Sequence, residues 1–227
     1  MFNSLLALVF PSVCAACGES LYKGEETLCT HCRYHLPKTN YHLDKDNPVI
    51  RHFWGKVNIY SAASYYFFNK GEKVQNLLHQ LKYKGQKEIG IFIGEIYGVE
   101  LIESPLFSLV DVIIPVPLHR KRKRKRGYNQ SELFAEGLAK SMNKEFDFKT
   151  IYRAKVSESQ TKKTRFERWE NVNEIFKLND TEKLTGKHLL LVDDVVTTGS
   201  TLEACATVLL QIPNVKISIA TIAYANS

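Results

Sequence analysis

An apolar tetrad, Leu189-Leu190-Leu191-Val192, runs without a break into Asp193-Asp194 and then Val195-Val196-Thr197-Thr198-Gly199-Ser200-Thr201. The tetrad shows no alternation, so both of its faces are buried, as in a strand of a parallel sheet covered by helices. Two acids at the end of such a strand cannot both be buried without partners, because an unpaired buried charge is very costly. They face solvent, a metal or hydroxyl donors. Beyond them, Leu202, Val208 and Leu209 follow helical spacing. The N–H groups that open a helix have no intrahelical partner, and with the Thr and Ser hydroxyls they form a cradle for an anion. Gly199 lets the backbone come close to that anion. The implied ligand carries a phosphate at one end and vicinal hydroxyls or a metal at the other, which describes a ribose 5′-phosphate. The loop is not a Walker A loop, since the Gly-Lys-Ser/Thr ending is missing, nor a Rossmann glycine fingerprint. An ordinary strand-to-helix loop with Asp caps is the plainer alternative.

The rest of the 227-residue chain agrees with an α/β reading. From Ile59, a run containing Ala62, Ala63, Tyr65, Tyr66, Phe67 and Phe68 reads as a strand that Asn69-Lys70-Gly71 ends. Val74, Leu77, Leu78 and Leu81 keep helical spacing, as do Ile89, Phe92, Ile93 and Ile96. Val110 to Val116 is a buried strand closed by Pro115 and Pro117, a helix begins near Asn129 with Leu133, Phe134 and Leu138, and Val215 to Tyr224 is a last strand. Such alternation predicts a mostly parallel sheet whose ligands bind at the carboxyl ends of its strands, after Val116 and Val192. Thr39 to Asn58 is polar, with Pro48 and Gly55, and reads as a linker.

Apolar residues make up 44% of the chain and charged residues 24%, which excludes wholesale disorder and a fibrous repeat. No apolar run approaches the ~20 residues that span a bilayer. Met1 to Pro11 reads as a short amphipathic helix stopped by Pro11; no Lys or Arg precedes its apolar stretch and no Ala-x-Ala pattern follows, so a signal peptide is not expected. The expected location is the cytoplasm.

Four of the five cysteines form two Cys-x-x-Cys pairs, Cys14/Cys17 and Cys29/Cys32, separated by 11 residues. This is the ligand spacing of a zinc knuckle or ribbon, in which each pair folds around one side of a tetrahedral ion. Gly18 allows the tight turn after the first pair. Two disulfides in a secreted protein, or a thioredoxin-like redox pair, are the competing arrangements; context and spacing favour zinc. A four-cysteine site is closed and therefore structural. Cys205, at apolar spacing in the helix after the phosphate loop, is expected in the core.

The net charge of +7 has a local source. Arg120-Lys121-Arg122-Lys123-Arg124-Lys125-Arg126 is an unbroken basic run, and without it the chain holds 24 basic and 24 acidic residues. A solvated loop is the ordinary reading of such a run. Lying between two segments at the ligand edge, it also suits nucleic acid, bound through phosphates without regard to sequence. Tyr128, Tyr34 and Trp54 are aromatics available to stack on single-stranded bases.

Leu191 to Thr201 resembles the phosphoribosyl pyrophosphate (PRPP) motif of type I phosphoribosyltransferases. The whole chain resembles the ComF family (amidophosphoribosyltransferase-like, GntX-like). Besides the PRPP motif, the resemblance rests on the four-cysteine module, Pro115-Val116-Pro117-Leu118 and Arg126-Gly127-Tyr128-Asn129-Gln130. It also rests on Arg153 with Gln160, Arg168, Asn171, Val172 and Phe176. It implies an α/β type I phosphoribosyltransferase fold with a helix and small zinc-binding module in residues 1–45 and a phosphoribosyltransferase-like domain in residues 46–227. It implies that Asp193 and Asp194 hold the ribose 2′- and 3′-hydroxyls as the catalytic acids, and that Val195 to Thr201 bind PRPP, with Thr197 to Thr201 on its 5′-phosphate. The loop after Val116 corresponds to the pyrophosphate loop, where the leaving group and its magnesium sit, with Arg126 and its neighbours as neutralising cations. Arg153, Gln160 and Arg168 belong to a hood that closes over the substrate. The implied chemistry is displacement of pyrophosphate at the anomeric carbon by a nitrogen nucleophile, driven by positioning, magnesium and cationic side chains. The family's association with DNA uptake implies single-stranded DNA and competence-machinery proteins, a helicase among them, as partners. A metabolic phosphoribosyltransferase and a non-catalytic PRPP-sensing regulator are the alternative functions.

Overall fold

The computed structural model describes residues 12–154 and 175–225. The expected helix at Met1 to Pro11, and Gln160 and Arg168 of the expected hood, lie outside these residues. The strands are β1 (Ser61–Phe68), β2 (Val112–Pro115), β3 (Glu145–Phe146), β4 (Ile151–Arg153), β5 (Phe176–Leu178), β6 (His188–Val196) and β7 (Lys216–Ala225). The helices are α1 (Thr30–His35), α2 (Pro48–Arg51), α3 (Lys73–Tyr83), α4 (Glu88–Glu103), α5 (Arg120–Arg126), α6 (Gln130–Met142) and α7 (Ser200–Leu209). Five strands form one parallel sheet in the order β1-β7-β6-β2-β3, and β4 pairs with β5 antiparallel beside it. Among the described residues, no helix is long and apolar enough to cross a membrane.

The unalternating tetrad behaves as its composition requires. Leu190 and Val192 enter a core shared with Ile93, Tyr97, Phe134 and Leu138 of α4 and α6, whereas Leu189 and Leu191 enter a second core with Leu202, Cys205 and Leu209 of α7. All four are fully buried, worth roughly 1.5–3 kcal/mol each relative to exposure. The strand does not stop at Val192. Pairing with β7 continues to Val196 opposite Tyr224, so Asp193 and Asp194 sit within the ladder, not beyond it. β2 is shorter than its apolar run because Pro115 and Pro117 supply no donors. The register of β1 on β7 is marked by polar pairs: Ser61 faces Ser218 and Ser64 faces Thr221, with hydroxyls 2.7 and 2.6 Å apart.

Two local expectations change. Thr39 to Asn58 is packed structure, not a linker. Asn47 caps α2, its Oδ1 accepting the Val49 and Ile50 amides, while its Nδ2 donates to Ala62 O at 2.8 Å and ties the segment to β1. Val49, Ile50 and Phe53 are buried; a single helical turn is too short for them to show periodicity in the sequence. The basic run is a helix, not a loop. Arg and Lys are good helix formers, His119 Nδ1 accepts the Lys121 amide at the start, and Gly127 ends it at φ +84°.

α4 lies on α6 through glycines. A Cβ at Gly94 would lie 2.4 Å from Phe134 O and 2.7 Å from Leu138 N, and one at Gly137 would lie 2.0 Å from Ile91 O. This backbone-to-backbone approach fixes where α6 begins.

Candidate functional site

The carboxyl ends of β2 and β6 lie side by side, joined by Val116 N–H donating to Val192 O at 2.9 Å. α6 opens at the same place. Asn129 caps it through Oδ1, which accepts the Ser131 amide at 3.2 Å, and Asn129 Nδ2 donates to Val116 O at 3.0 Å. The first residues of α6 therefore reach the acids: Ser131 Oγ donates to Asp193 Oδ1 at 2.7 Å, and Gln130 Nε2 donates to Asp194 Oδ2 at 2.8 Å. From α3, Lys82 places Nζ 2.9 Å from the same Asp194 Oδ2. Asp194 is buried and Asp193 half-buried. Burial, and then the charge of Asp194, push the Asp193 carboxyl up to about 7 against the opposing pull of Ser131, the Asp194 amide and Lys82.

Beyond the acids, Val195 is half-buried and Val196 buried in the strand, so Val196 presents its backbone rather than its side chain. Thr197, Thr198, Ser200 and Thr201 are exposed. Gly199 stands before α7 at φ +73° with no capping side chain of its own, leaving the helix start open. A Cβ on Gly199 would come 3.3 Å from the Phe53 ring and 3.8 Å from His52 Cβ. The segment around α2 thus walls one side of the loop, and His52 Nε2 lies 3.4 Å from Tyr224 Oη.

The basic helix meets the acid pair through a cavity. Lys82, Tyr83, Gly85, Arg122, Lys125, Arg126 and Tyr128 line a cleft of about 420 Å³. Arg126 donates to Gln130 Oε1, and its guanidinium lies 5.6 Å from the centre of the Tyr83 ring. Lys123 points elsewhere, paired with Glu132 at 2.8 Å, while Arg120, Lys121 and Arg124 are exposed. The three aromatics named from the sequence do not gather: Tyr128, Tyr34 and Trp54 line three separate cavities. Tyr128 is buried and donates to Leu81 O, and Tyr83, which the sequence reading passed over, is the exposed ring of the cleft. Arg153, on β4, lies over the Phe176 ring, 5.4 Å from its centre; burial lowers its pKa and the charge of Arg122 adds to that.

The four cysteines converge as their spacing predicts. Their Sγ atoms all lie within 4.8 Å of one another. Cys17 Sγ and Cys29 Sγ are 3.8 Å apart, the edge of a tetrahedron with ~2.3 Å metal–sulfur bonds and far from the ~2.05 Å of a disulfide. None of the four is disulfide-bonded. The Cys29 amide donates to Cys14 Sγ at 3.3 Å and the Cys32 amide to Cys29 Sγ at 3.4 Å. Burial raises the Cys14 thiol, but the amides of Cys17, Cys29 and Ala16 outweigh it and bring it down to about 7. Burial pushes Cys29 and Cys32 up. This donor set fits a tetrahedral metal ion, which displaces thiol protons on binding.

Residues 129–227 match the family model of the phosphoribosyl transferase domain. The chain is 30% identical over 215 residues to DNA utilization protein YhgH of Shigella flexneri, covering 91% of this chain and 87% of that protein. It is 28% identical over 205 residues to competence protein ComFC of Bacillus subtilis strain 168, covering 88% of this chain and 78% of that one. The chain belongs to the ComF family. Its fold is that of the type I phosphoribosyltransferases, with four N-terminal cysteines clustered as a metal site would need them. Adenine phosphoribosyltransferase of Saccharomyces cerevisiae is 16% identical over 62% of this ComF chain and 69% of its own, with a TM-score of 0.38. The matched domain begins at Asn129, the cap of α6, and so takes in Gln130, Ser131, both acids and the loop. Lys82, the basic helix and the cysteines precede it.

Proposed function

We propose that this ComF-family protein binds PRPP, with its magnesium, at the acid pair and the Thr197–Thr201 loop, and holds single-stranded DNA along the cationic cleft beside it. It would do so in the cytoplasm, in the handling of incoming DNA, a role in keeping with relatives named for DNA utilization and for competence. One observation carries the reading: Asp194 is joined on one side to the strand that leads into an open helix start, and on the other, through Lys82 and through Gln130 and Arg126, to a cleft of four cations and two tyrosines. A ribose diol suits the acids, its phosphate suits the free amides, and the cleft suits a phosphate backbone with a base set on Tyr83. Magnesium bound with PRPP would screen the pyrophosphate beside Asp193 and Asp194. Zinc in the four-cysteine cluster would hold the Cys14–Cys32 segment as a knuckle within the module of residues 1–45, beside a phosphoribosyltransferase-like domain of residues 46–227.

Calorimetry with PRPP and magnesium tests the first half. Asp193→Asn with Asp194→Asn is expected to abolish binding while the zinc content is unchanged; unaltered affinity overturns the site. A salt titration of oligo(dT) tests the second half. Each lost phosphate contact reduces the slope of log affinity against log salt by ~0.7 for a single strand. Replacing Arg122, Lys125 and Arg126 with Gln is therefore expected to reduce it by about 2, and an unchanged slope removes DNA from the cleft. Pyrophosphate release from PRPP, screened across nitrogen acceptors, separates a transferase from a sensor.

A further inference from the structure

We infer that Lys82 is a positioning residue that couples the two sites, so that an anion in the cleft strengthens sugar binding at the acid pair. The inference rests on the proposed occupants of both sites and adds how each affects the other. Asp194 Oδ2 is committed in the structure: it accepts from Lys82 Nζ at 2.9 Å and from Gln130 Nε2 at 2.8 Å. Both donors belong to the cleft side. Lys82 lines the cleft itself, and Gln130 is oriented by Arg126, which also lines it. Asp194 is 6% exposed, so its charge needs these partners, and a hydroxyl arriving at this oxygen must compete with a cation and an amide.

A phosphate oxygen in the cleft changes that competition. The Lys82 ammonium is a compact charge on a flexible stem, and a quarter of its side chain is exposed, so it can turn from carboxylate to phosphate. Arg126 is drawn the same way and loosens its hold on Gln130. The carboxylate lone pairs so released are then met by ribose hydroxyls. By linkage, the sugar must strengthen anion binding by the same factor. Lys82 thus transmits charge without contacting the reacting atoms.

The experiment uses the full chain and ribose 5-phosphate, which has the diol and the 5′-phosphate but no pyrophosphate to contact Lys82 directly. Its affinity is measured by calorimetry at constant salt, with and without saturating oligo(dT). In the wild-type chain, oligo(dT) is expected to tighten ribose 5-phosphate by about 5-fold or more, the lower end for coupled sites. Lys82→Met is expected to lose that response, and Lys82→Arg to retain it. Arg126→Gln, which leaves the Asp194–Lys82 pair in place, is expected to reduce the response without removing it and keeps the test open if Lys82→Met does not fold. Coupling is overturned if both ligands bind and oligo(dT) leaves ribose 5-phosphate unchanged or weaker, or if Lys82→Met responds as the wild type does. Failure of ribose 5-phosphate to bind any folded form overturns the acid-loop site instead, and failure of oligo(dT) to bind overturns the cleft; in either case the coupling falls with it.

Discussion

Asp193 holds its proton to a higher pH than an ordinary carboxyl, from 3.8 to about 7, because its removal from water and the neighbouring charge of Asp194 both disfavour the ionised form. Between those values the folded chain keeps a proton that the unfolded chain has released. The contribution to stability is therefore full below pH ~4 and is lost as pH rises through ~7. Asp193→Asn removes the ionising group but leaves an oxygen for the Ser131 hydroxyl, 2.7 Å away in the wild type. The variant is expected to gain on the wild type at pH 8 relative to pH 5 in urea unfolding; an equal difference at both pH values contradicts the argument. The acids and Gly199 were legible because their chemistry is written in one continuous stretch after an apolar strand. Lys82 was not. It sits one position past buried Leu81 in an ordinary amphipathic helix, and only the fold brings it to an acid far along the chain.

At the scale of elements, α4 and α6 decide where the ligand edge stands. The sequence shows Ile89, Phe92, Ile93 and Ile96 at helical spacing, yet Phe92 and Ile96 are only half-buried. The tightest face is the one bearing Gly90, Gly94 and Gly98, spaced by four, where a side chain would strike α6. A periodicity count of large apolar residues passes over such a face because its packing comes from absent side chains. Gly94→Ala is expected to destabilise the protein by about 1–3 kcal/mol, the cost of overpacking, and to weaken PRPP binding by shifting Gln130 and Ser131 at the head of α6. Urea unfolding beside the exposed control Glu103→Ala checks the first effect and calorimetry the second; a variant as stable as the control contradicts the close packing. The basic run carried a legible charge and an illegible shape, since seven Arg and Lys residues suit a helix and a solvated loop alike.

Across the whole molecule, the cysteine cluster and the sheet share one core. Cys14, Leu28, Cys32 and Leu36 belong to the same apolar cluster as Tyr66, Leu77 and Ile113, and Gln80 Nε2 donates to Ala15 O at 2.6 Å. The ligand spacing was legible, but the docking was not, because it depends on α3 meeting the knuckle. Removing the metal is expected to lower the melting temperature of the entire chain, in one transition, by roughly 10 °C or more at ~2–4 °C per kcal/mol for a chain of this size. Metal analysis is expected to give one zinc per chain. A chelator that leaves the main transition in place would show the module to be energetically separate.

The order of the sheet has a further consequence for biosynthesis. Among the described residues, β7 is the one strand of the sheet that pairs with β1 and joins it to β6; the other edge of β1 meets residues 37–39 through a bridge between Lys38 and Tyr66. A nascent chain still short of residue 216 leaves bare the edge of this eight-residue strand that β7 will cover, while six of its residues are destined for the interior and only residues 37–39 are at hand on its other edge. Such an edge recruits other strands, so a stalled or truncated product is a substrate for chaperones and proteases rather than a smaller working protein.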